Sequence, residues 1–240
     1  MMSELAERSA GSIEAASNKA LLFFSRHWVA WLNVLVGIWV GLPWVAPILM
    51  HVGASGPANL IYLFYSPQCH QLPQRSYFLF GDRLMVPLRD ILAVYPTSDP
   101  LLLRLFVGTP TLGWKVAWSD RMVSLFTPLF VGRLLYGLSG KRWKPQRWHW
   151  RLLVPYLPLL LDGSSHGIND LLHLGVRETN EWLAVITGHA FAPTFYAGDI
   201  VGSFNWWARL ISGIVAGFAF TRLVYPYLNK GFVAAASSTG

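Results

Sequence analysis

The sequence predicts an all-α protein that crosses a membrane four times, with both termini on the cytoplasmic side. The composition and the placement of basic residues between apolar segments carry this prediction. Of 240 residues, 53% are hydrophobic and 13% are charged, whereas an average soluble domain has about 25% charged residues. This composition excludes intrinsic disorder and disfavours a soluble globular domain. Twelve tryptophans suit a protein with two membrane interfaces.

The first predicted span covers residues 28–52. No Lys, Arg, Asp or Glu occurs from His27 to Gln74, and the span exceeds the roughly 20 apolar residues that a bilayer requires. The polar residues 1–27 before it are predicted to form a cytoplasmic tail.

A long outer connection, residues 53–112, follows the first span. Its apolar stretch 59–65 is too short to cross a bilayer and is predicted to be an interfacial or re-entrant helix.

Three further spans are predicted, and with the first they form one transmembrane domain over residues 28–230. Their ranges are 114–138, 151–172 and 204–227. A second outer connection, residues 173–203, joins the last two spans, and both connections are expected to be helical. Residues 231–240 are predicted to be a flexible tail.

The orientation follows from the short loop 139–151, which carries five basic residues and is therefore placed in the cytoplasm. Ten Lys and Arg residues then lie inside and five lie in the longer outer connections. This asymmetry accounts for the net charge of +7 without nucleic acid as a partner. The protein is expected in the plasma membrane of a prokaryote, with the lipid bilayer as its first partner.

Several charged residues fall within the outer parts of the predicted spans, where charges usually face the bundle interior. Asp162, His166 and Asp170 lie at i, i+4 and i+8, on one face of a helix. They are candidate ligands of a divalent metal, with His70 or Cys69 completing the site. The alternative is an ion-pair network that closes the outer end of the bundle.

Charge neutralisation between spans predicts two ion pairs, Asp120 with Arg209 and Arg121 with Asp162. Adjacent helix residues such as Asp120 and Arg121 point about 100° apart and pair poorly with each other. These pairs either hold the helices together or form a substrate site.

Two other motifs were weighed. Cys69 and His70 are a possible nucleophile and base, but neighbouring residues rarely reach that geometry. The single cysteine excludes a disulfide within the chain. Gly213 and Gly217 form a GxxxG motif, which predicts a close helix contact within the bundle or with another chain.

The stretch C-H-Q-L-P-Q-R-S at residues 69–76 resembles the C-H-Q-x-P-x-R-S signature of a bacterial and archaeal family of small membrane proteins, domain-of-unknown-function family 2085. Residues 158–163, 177–180 and 209–213 are similar to further motifs of that family, in the same order. The family's cysteine pair at the start of the second span is missing here, where residues 119–124 read S-D-R-M-V-S. The resemblance implies a membrane fold and no established reaction.

The sequence therefore predicts an integral membrane protein with a buried polar site at the outer leaflet, which binds a metal or an anionic head group. Arginines suit phosphate or carboxylate groups. The candidate site residues are Cys69, His70, Arg75, Asp120, Arg121, Asp162, His166, Arg177, Glu178 and Arg209. The alternative is an accessory or scaffold subunit that contacts other membrane subunits or itself through the fourth span; a transporter is a weaker alternative. Whether the protein is an enzyme stays open.

Overall fold

The computed structural model describes residues 2–97, 99–147, 150–172 and 174–238. The protein is mostly helical, and its long helices are α1 (Met2–His51), α5 (Asp120–Leu138), α6 (Leu157–Leu172) and α10 (Phe204–Ser238). Two segments are long and apolar enough to cross a membrane: Ser17–His51 of α1, with 35 residues, and Phe204–Ala234 of α10, with 31 residues.

Helices α1 and α10 are longer than the spans predicted from the sequence. Residues 2–27, expected as a tail, continue the same helix as the first span. Residues 231–238, expected as flexible, belong to α10. Both segments are rich in Ala, a strong helix former, which explains why the helices do not stop at the predicted borders.

Helices α5 and α10 form the most extensive helix contact of the fold. A side chain at Gly213 would lie 2.8 Å from the backbone carbon of Ser124, and one at Gly217 would collide with the carbonyl of Leu125. The GxxxG motif is therefore used within the chain, where the missing side chains let the two backbones approach.

A three-stranded antiparallel sheet corrects the all-α prediction. Its strands β1 (Ser76–Leu79), β2 (Gly108–Thr109) and β3 (Gly113–Ser119) lie in the order β1-β3-β2. The predicted second span began at residue 114, but β3 occupies its first residues and α5 starts at Asp120. The aromatic and β-branched residues Trp114, Val116 and Trp118 favour a strand.

Short helices fill the rest of the two connections. The first holds α2 (Ser55–Tyr65), α3 (Leu88–Val94) and α4 (Pro100–Leu103), and the second holds α7 (Val176–Thr179), α8 (Glu181–Ile186) and α9 (Pro193–Tyr196). Helix α2 contains the short apolar helix expected at 59–65. The predicted third span is divided into a 3₁₀-helix, Trp150–Tyr156, and α6.

The sheet packs against α1 and α2 around a hydrophobic core. Strand β3 contributes Val116, Ala117 and Trp118, which are fully buried. The core places β1 and the start of α5 beside the end of α6 and the start of α10, where the charged residues meet.

Candidate functional site

The predicted pair of Asp120 and Arg209 is present at the start of α5 and α10. The Arg209 Nε atom donates to Asp120 Oδ2 over 2.6 Å, and both side chains are 2% exposed. Ser124 Oγ also donates to the carbonyl of Arg209 over 2.9 Å. The close approach of the two helices thus aligns the charges that join them.

Arg209 has a second carboxylate partner that the sequence analysis did not place in the site. Its Nη1 atom donates to Asp199 Oδ1 over 2.8 Å, and Asp199 Oδ2 accepts from Arg75 Nε over 3.1 Å. Burial alone would raise the pKa of Asp199, but the guanidinium groups of Arg209 and Arg75 hold it well below its usual value. Asp199 therefore stays ionised between two arginines.

Arg75 continues the chain of ion pairs to α6. Its Nη1 and Nη2 atoms donate to the two carboxylate oxygens of Asp170 over 2.6 and 3.0 Å. This two-pronged geometry is the strong form of an arginine–carboxylate pair. Through it, the segment before β1 is bound to the C-terminal end of α6.

Asp162 on α6 forms ion pairs with two arginines. Arg121 Nη2 lies 2.7 Å from Asp162 Oδ2, as the sequence predicted, and Arg177 Nη2 lies 2.5 Å from Asp162 Oδ1. Asp162 and Arg177 are both buried. The carboxylate therefore links α5, α6 and α7.

His166 lies one turn after Asp162 and is 4% exposed. Its Nε2 atom lies 2.9 Å from Arg177 Nη2 and 3.4 Å from Arg209 Nη1. Because a guanidinium group only donates, Nε2 must accept, and the imidazole proton is assigned to Nδ1. In the described part of the chain, that Nδ1 atom has no hydrogen-bond partner.

These residues form what we call the charged cluster, in which four arginines alternate with four aspartates. Its members are Arg75, Asp120, Arg121, Asp162, His166, Asp170, Arg177, Asp199 and Arg209. Each of the four aspartates is paired with at least one arginine, so the formal charges of the cluster cancel.

Three of the four predicted metal ligands, Asp162, His166 and Asp170, contact arginines in the structure. Asp162 and Asp170 are held by guanidinium groups, whose positive charge opposes a bound cation. His70 is exposed. Among the described residues, no three His, Cys, Asp or Glu side chains form a group that could hold a metal ion.

Cys69 and His70 have no hydrogen bond or ion pair with the charged cluster in the described residues. Cys69 is buried, and its Sγ atom donates to Ser119 Oγ over 3.4 Å. No contact between the Cys69 and His70 side chains supports a nucleophile and its base.

Lys115 on β3 forms hydrogen bonds with the loop that follows Cys69. It is fully buried, and its Nζ atom donates to the carbonyls of Gln71 over 2.8 Å and Arg104 over 2.6 Å. Burial lowers the pKa of Lys115 to about 7. The sequence placed this lysine inside a span, but the strand places it in the outer connection.

Two buried amides extend the charged cluster toward the second connection. Asn169 Nδ2 donates to the Glu178 carboxylate over 3.1 and 3.2 Å, and its Oδ1 accepts from the backbone of Arg177. Asn205 Nδ2 donates to the carbonyl of Arg177 over 2.6 Å. Glu178 itself is exposed.

An apolar groove of about 360 Å³ adjoins the charged cluster between α6, α7 and α8. It is lined by Ser165, Ile168, Asn169, Leu174, Val176, Arg177 and Trp182. Arg177 and Asn169 are the buried polar groups in this lining. We call this cavity the outer groove.

The sequence analysis missed Asp199, Asn169 and Asn205 as members of the site. The sequence predicted aspartate partners for only two of the four arginines. This excess of positive charge was a signal that a further carboxylate, such as Asp199, belongs to the site. The two asparagines gave no signal, because polar amides are common in loops and helix ends.

Comparison with known proteins assigns no function. No model of a known protein family matches the chain, and no solved structure matches it. An uncharacterised protein of Methanocaldococcus jannaschii is 28% identical over 141 residues, which cover 57% of this chain. The matched region spans 65% of that relative's length.

Proposed function

We propose that the protein is an integral membrane protein with four spanning helices, cytoplasmic termini and a lipid-binding outer groove. Helix α5 is about 28 Å long at 1.5 Å per residue, and the 3₁₀-helix together with α6 is about 38 Å. Both lengths match the roughly 30 Å of a bilayer's hydrocarbon core. The charged ends of α5 and α6 meet at the charged cluster, where their charges are neutralised.

The proposed ligand is a zwitterionic phospholipid of the outer leaflet. The observation that carries this proposal is the outer groove, whose wall is mainly apolar and whose buried polar residues are Arg177 and Asn169. Arg177 supplies a guanidinium group to the lining, and Asn169, which also lines the groove, holds the Glu178 carboxylate through its Nδ2 atom. A phosphate suits the guanidinium group and an ammonium group suits the carboxylate, while the cancelled charges of the cluster favour neither a metal ion nor a purely anionic head group.

The test is the affinity of the detergent-purified protein for phosphatidylethanolamine, measured by native mass spectrometry. Glu178→Gln removes the proposed ammonium partner and is expected to weaken binding about tenfold, the effect of one charged hydrogen bond. Glu181→Gln is the matched control, because Glu181 is an exposed carboxylate on the next helix. Equal affinity in the two variants would contradict the proposal.

A second candidate function is a non-catalytic accessory or scaffold subunit of a membrane assembly. The mutual pairing of the cluster's arginines and aspartates favours it, because such a network neutralises its own charges and fixes the arrangement of the helices without any ligand. Stable copurification of other subunits with no bound phospholipid would select this candidate. The relationship to domain-of-unknown-function family 2085 is likewise our proposal, based on residues 69–76, and it adds no reaction.

A further inference from the structure

Arg133 differs from the four arginines of the charged cluster because it has no carboxylate partner among the described residues. It lies near the end of α5, about 20 Å along the helix from Asp120. The side chain is buried, with 1% exposure. Its Nε and Nη2 atoms have no hydrogen-bond partner in the described part of the chain.

The surroundings of Arg133 are mainly aromatic. Its guanidinium carbon lies 5.2 Å from the centre of the Tyr225 ring. The Tyr136 ring lies 5.7 Å from Tyr225 and 6.4 Å from Trp28. A cation–π contact offsets only part of the cost of removing an arginine from water, so the charge of Arg133 lacks a sufficient counterpart.

Other buried donors near Arg133 are also unsatisfied. Tyr136, one turn after Arg133 on the same helix, is fully buried, and its hydroxyl has no partner in the described residues. The same holds for the hydroxyl of Ser25, one turn before Trp28 on α1. The Arg133 guanidinium and the Tyr136 hydroxyl, three residues apart on α5, are donors without an acceptor, which indicates a missing group that carries acceptor oxygens.

Two further basic residues lie over aromatic rings of this region, beside the described loop residues 139–147. Lys141 Nζ lies 6.0 Å above the Trp28 ring. Arg222 donates to the carbonyl of Lys144 over 3.1 Å and lies 5.8 Å above the Trp143 ring. Their combined field favours an anion at Arg133.

An apolar groove of about 550 Å³ lies on α10 beside the same aromatic group. It is lined by Leu223, Val224, Tyr227 and Leu228. Val224 also packs against the cluster that contains Trp28, Tyr136 and Tyr225. The groove and Arg133 thus adjoin the same aromatic group, because Tyr225 of that group lies against the Arg133 guanidinium.

We propose that Arg133 and Tyr136 bind the phosphate group of an anionic phospholipid from the leaflet that faces loop residues 139–147. The acyl chain lies along the groove on α10. The lipid as the source of the phosphate rests on the membrane placement proposed above, whereas the need for an anion rests on Arg133 alone.

The experiment measures thermal unfolding in lipid-free detergent, with and without phosphatidylglycerol. The wild type is expected to gain thermal stability from this lipid. Arg133→Met removes the unpaired charge, so this variant is expected to be at least as stable as the wild type without lipid and to gain little from it. Arg89→Met is the matched control, because the Arg89 side chain is 83% exposed, and it should respond as the wild type does.

A second variant keeps the test decisive if Arg133→Met does not fold. Arg133→Lys retains the charge but loses the forked donor geometry, and native mass spectrometry is expected to show about tenfold weaker phosphatidylglycerol binding. Binding or stabilisation equal to the wild type in both variants would overturn the proposal. Stabilisation of the wild type by inorganic phosphate alone, with no added effect of phosphatidylglycerol, would overturn the lipid as its source.

The phosphatidylglycerol experiment tests the Arg133 site separately from the proposed lipid site in the outer groove. Glu178→Gln changes the opposite end of the molecule and should leave the phosphatidylglycerol response intact. Failure of one proposal therefore does not imply failure of the other.

Discussion

Arg209 and Asp120 each carry a full charge and are 2% exposed. Such a buried pair contributes little net stability when both partners are present, because desolvation offsets their attraction. Removing one partner is costly, because the other charge stays buried without its counterpart. The pair thus ties α10 to α5 in one arrangement.

Asp120→Asn is expected to destabilise the folded protein by about 3–5 kcal/mol, because Arg209 loses one of its two carboxylates in a buried site. Unfolding in detergent by denaturant measures this change. The double variant Asp120→Met with Arg209→Met should cost less than the sum of its single variants.

The control for this prediction is Asp90→Asn. Asp90 pairs with Arg83, whose side chain is 59% exposed, so the variant should change stability by less than about 1 kcal/mol. If Asp120→Asn is no more harmful than Asp90→Asn, the buried pair does not hold the helices.

Lys115 predicts a specific pH dependence of stability. Its pKa is about 7 in the folded protein and returns to about 10.4 in the unfolded chain. Between these values the unfolded state binds a proton that the folded state does not, so the stability contribution rises with pH from about 7 to about 10. Below pH 7 both states are protonated and this contribution is flat.

Lys115→Met should abolish that rise, measured as the unfolding temperature in detergent between pH 6 and pH 9.5. Lys141→Met, at a lysine outside the sheet, should retain it. An unchanged pH profile in Lys115→Met would show that another group causes the dependence.

Part of the site was predictable at the level of residues. Four charged residues in three predicted spans must be neutralised within a bilayer, and this argument alone predicts Asp120 with Arg209 and Arg121 with Asp162. The pairs of Arg75 depend on where the two connections fold, and local sequence carries no information on that. The same reason explains why Asp199 was missed.

At the level of elements, the contact of α5 with α10 depends on two small residues. Gly217→Ala would place a methyl group against the Leu125 carbonyl and 3.1 Å from the Leu129 nitrogen, which forces the helices apart. We expect a loss of about 1–3 kcal/mol, as for overpacked cores.

Gly231→Ala is the matched control for Gly217→Ala. Gly231 lies in the same helix, and nothing within 4 Å would meet its new methyl group. It is expected to be neutral or stabilising, because Ala favours a helix more than Gly does. Equal effects of the two variants would contradict a close α5–α10 contact.

The strand β3 was the element least accessible to sequence reasoning. Residues 114–138 form one mostly apolar stretch, in which a strand followed by a helix looks like a single span. The alternating pattern of Trp114, Val116 and Trp118 is only a few residues long, and short apolar runs do not distinguish strands from helices. Residues 114–119 form a strand because they pair with β1, where Leu79 lies opposite Trp114. This partner is distant in the sequence, so the local pattern does not reveal it.

At the scale of the whole molecule, the arginines at the two ends differ in whether they have carboxylate partners. The outer end has four arginines paired with four aspartates of the same chain, while Arg133 near the other end has no described carboxylate partner. The first end is therefore self-sufficient in charge, and the second is built to receive an anion. Both proposals depend on four spans that separate these ends across a bilayer.

The most direct test of this account is the sidedness of single cysteines in whole cells, in a Cys69→Ser background. Thr111→Cys, Lys144→Cys, Ala190→Cys and Ser237→Cys place exposed thiols after α1, α5, α6 and within the end of α10. A membrane-impermeant maleimide should label positions 111 and 190 in intact cells, and positions 144 and 237 only after permeabilisation. Labelling of position 144 together with 111 and 190 in intact cells would mean that α5 and α6 do not cross the membrane, and it would contradict the four-span account.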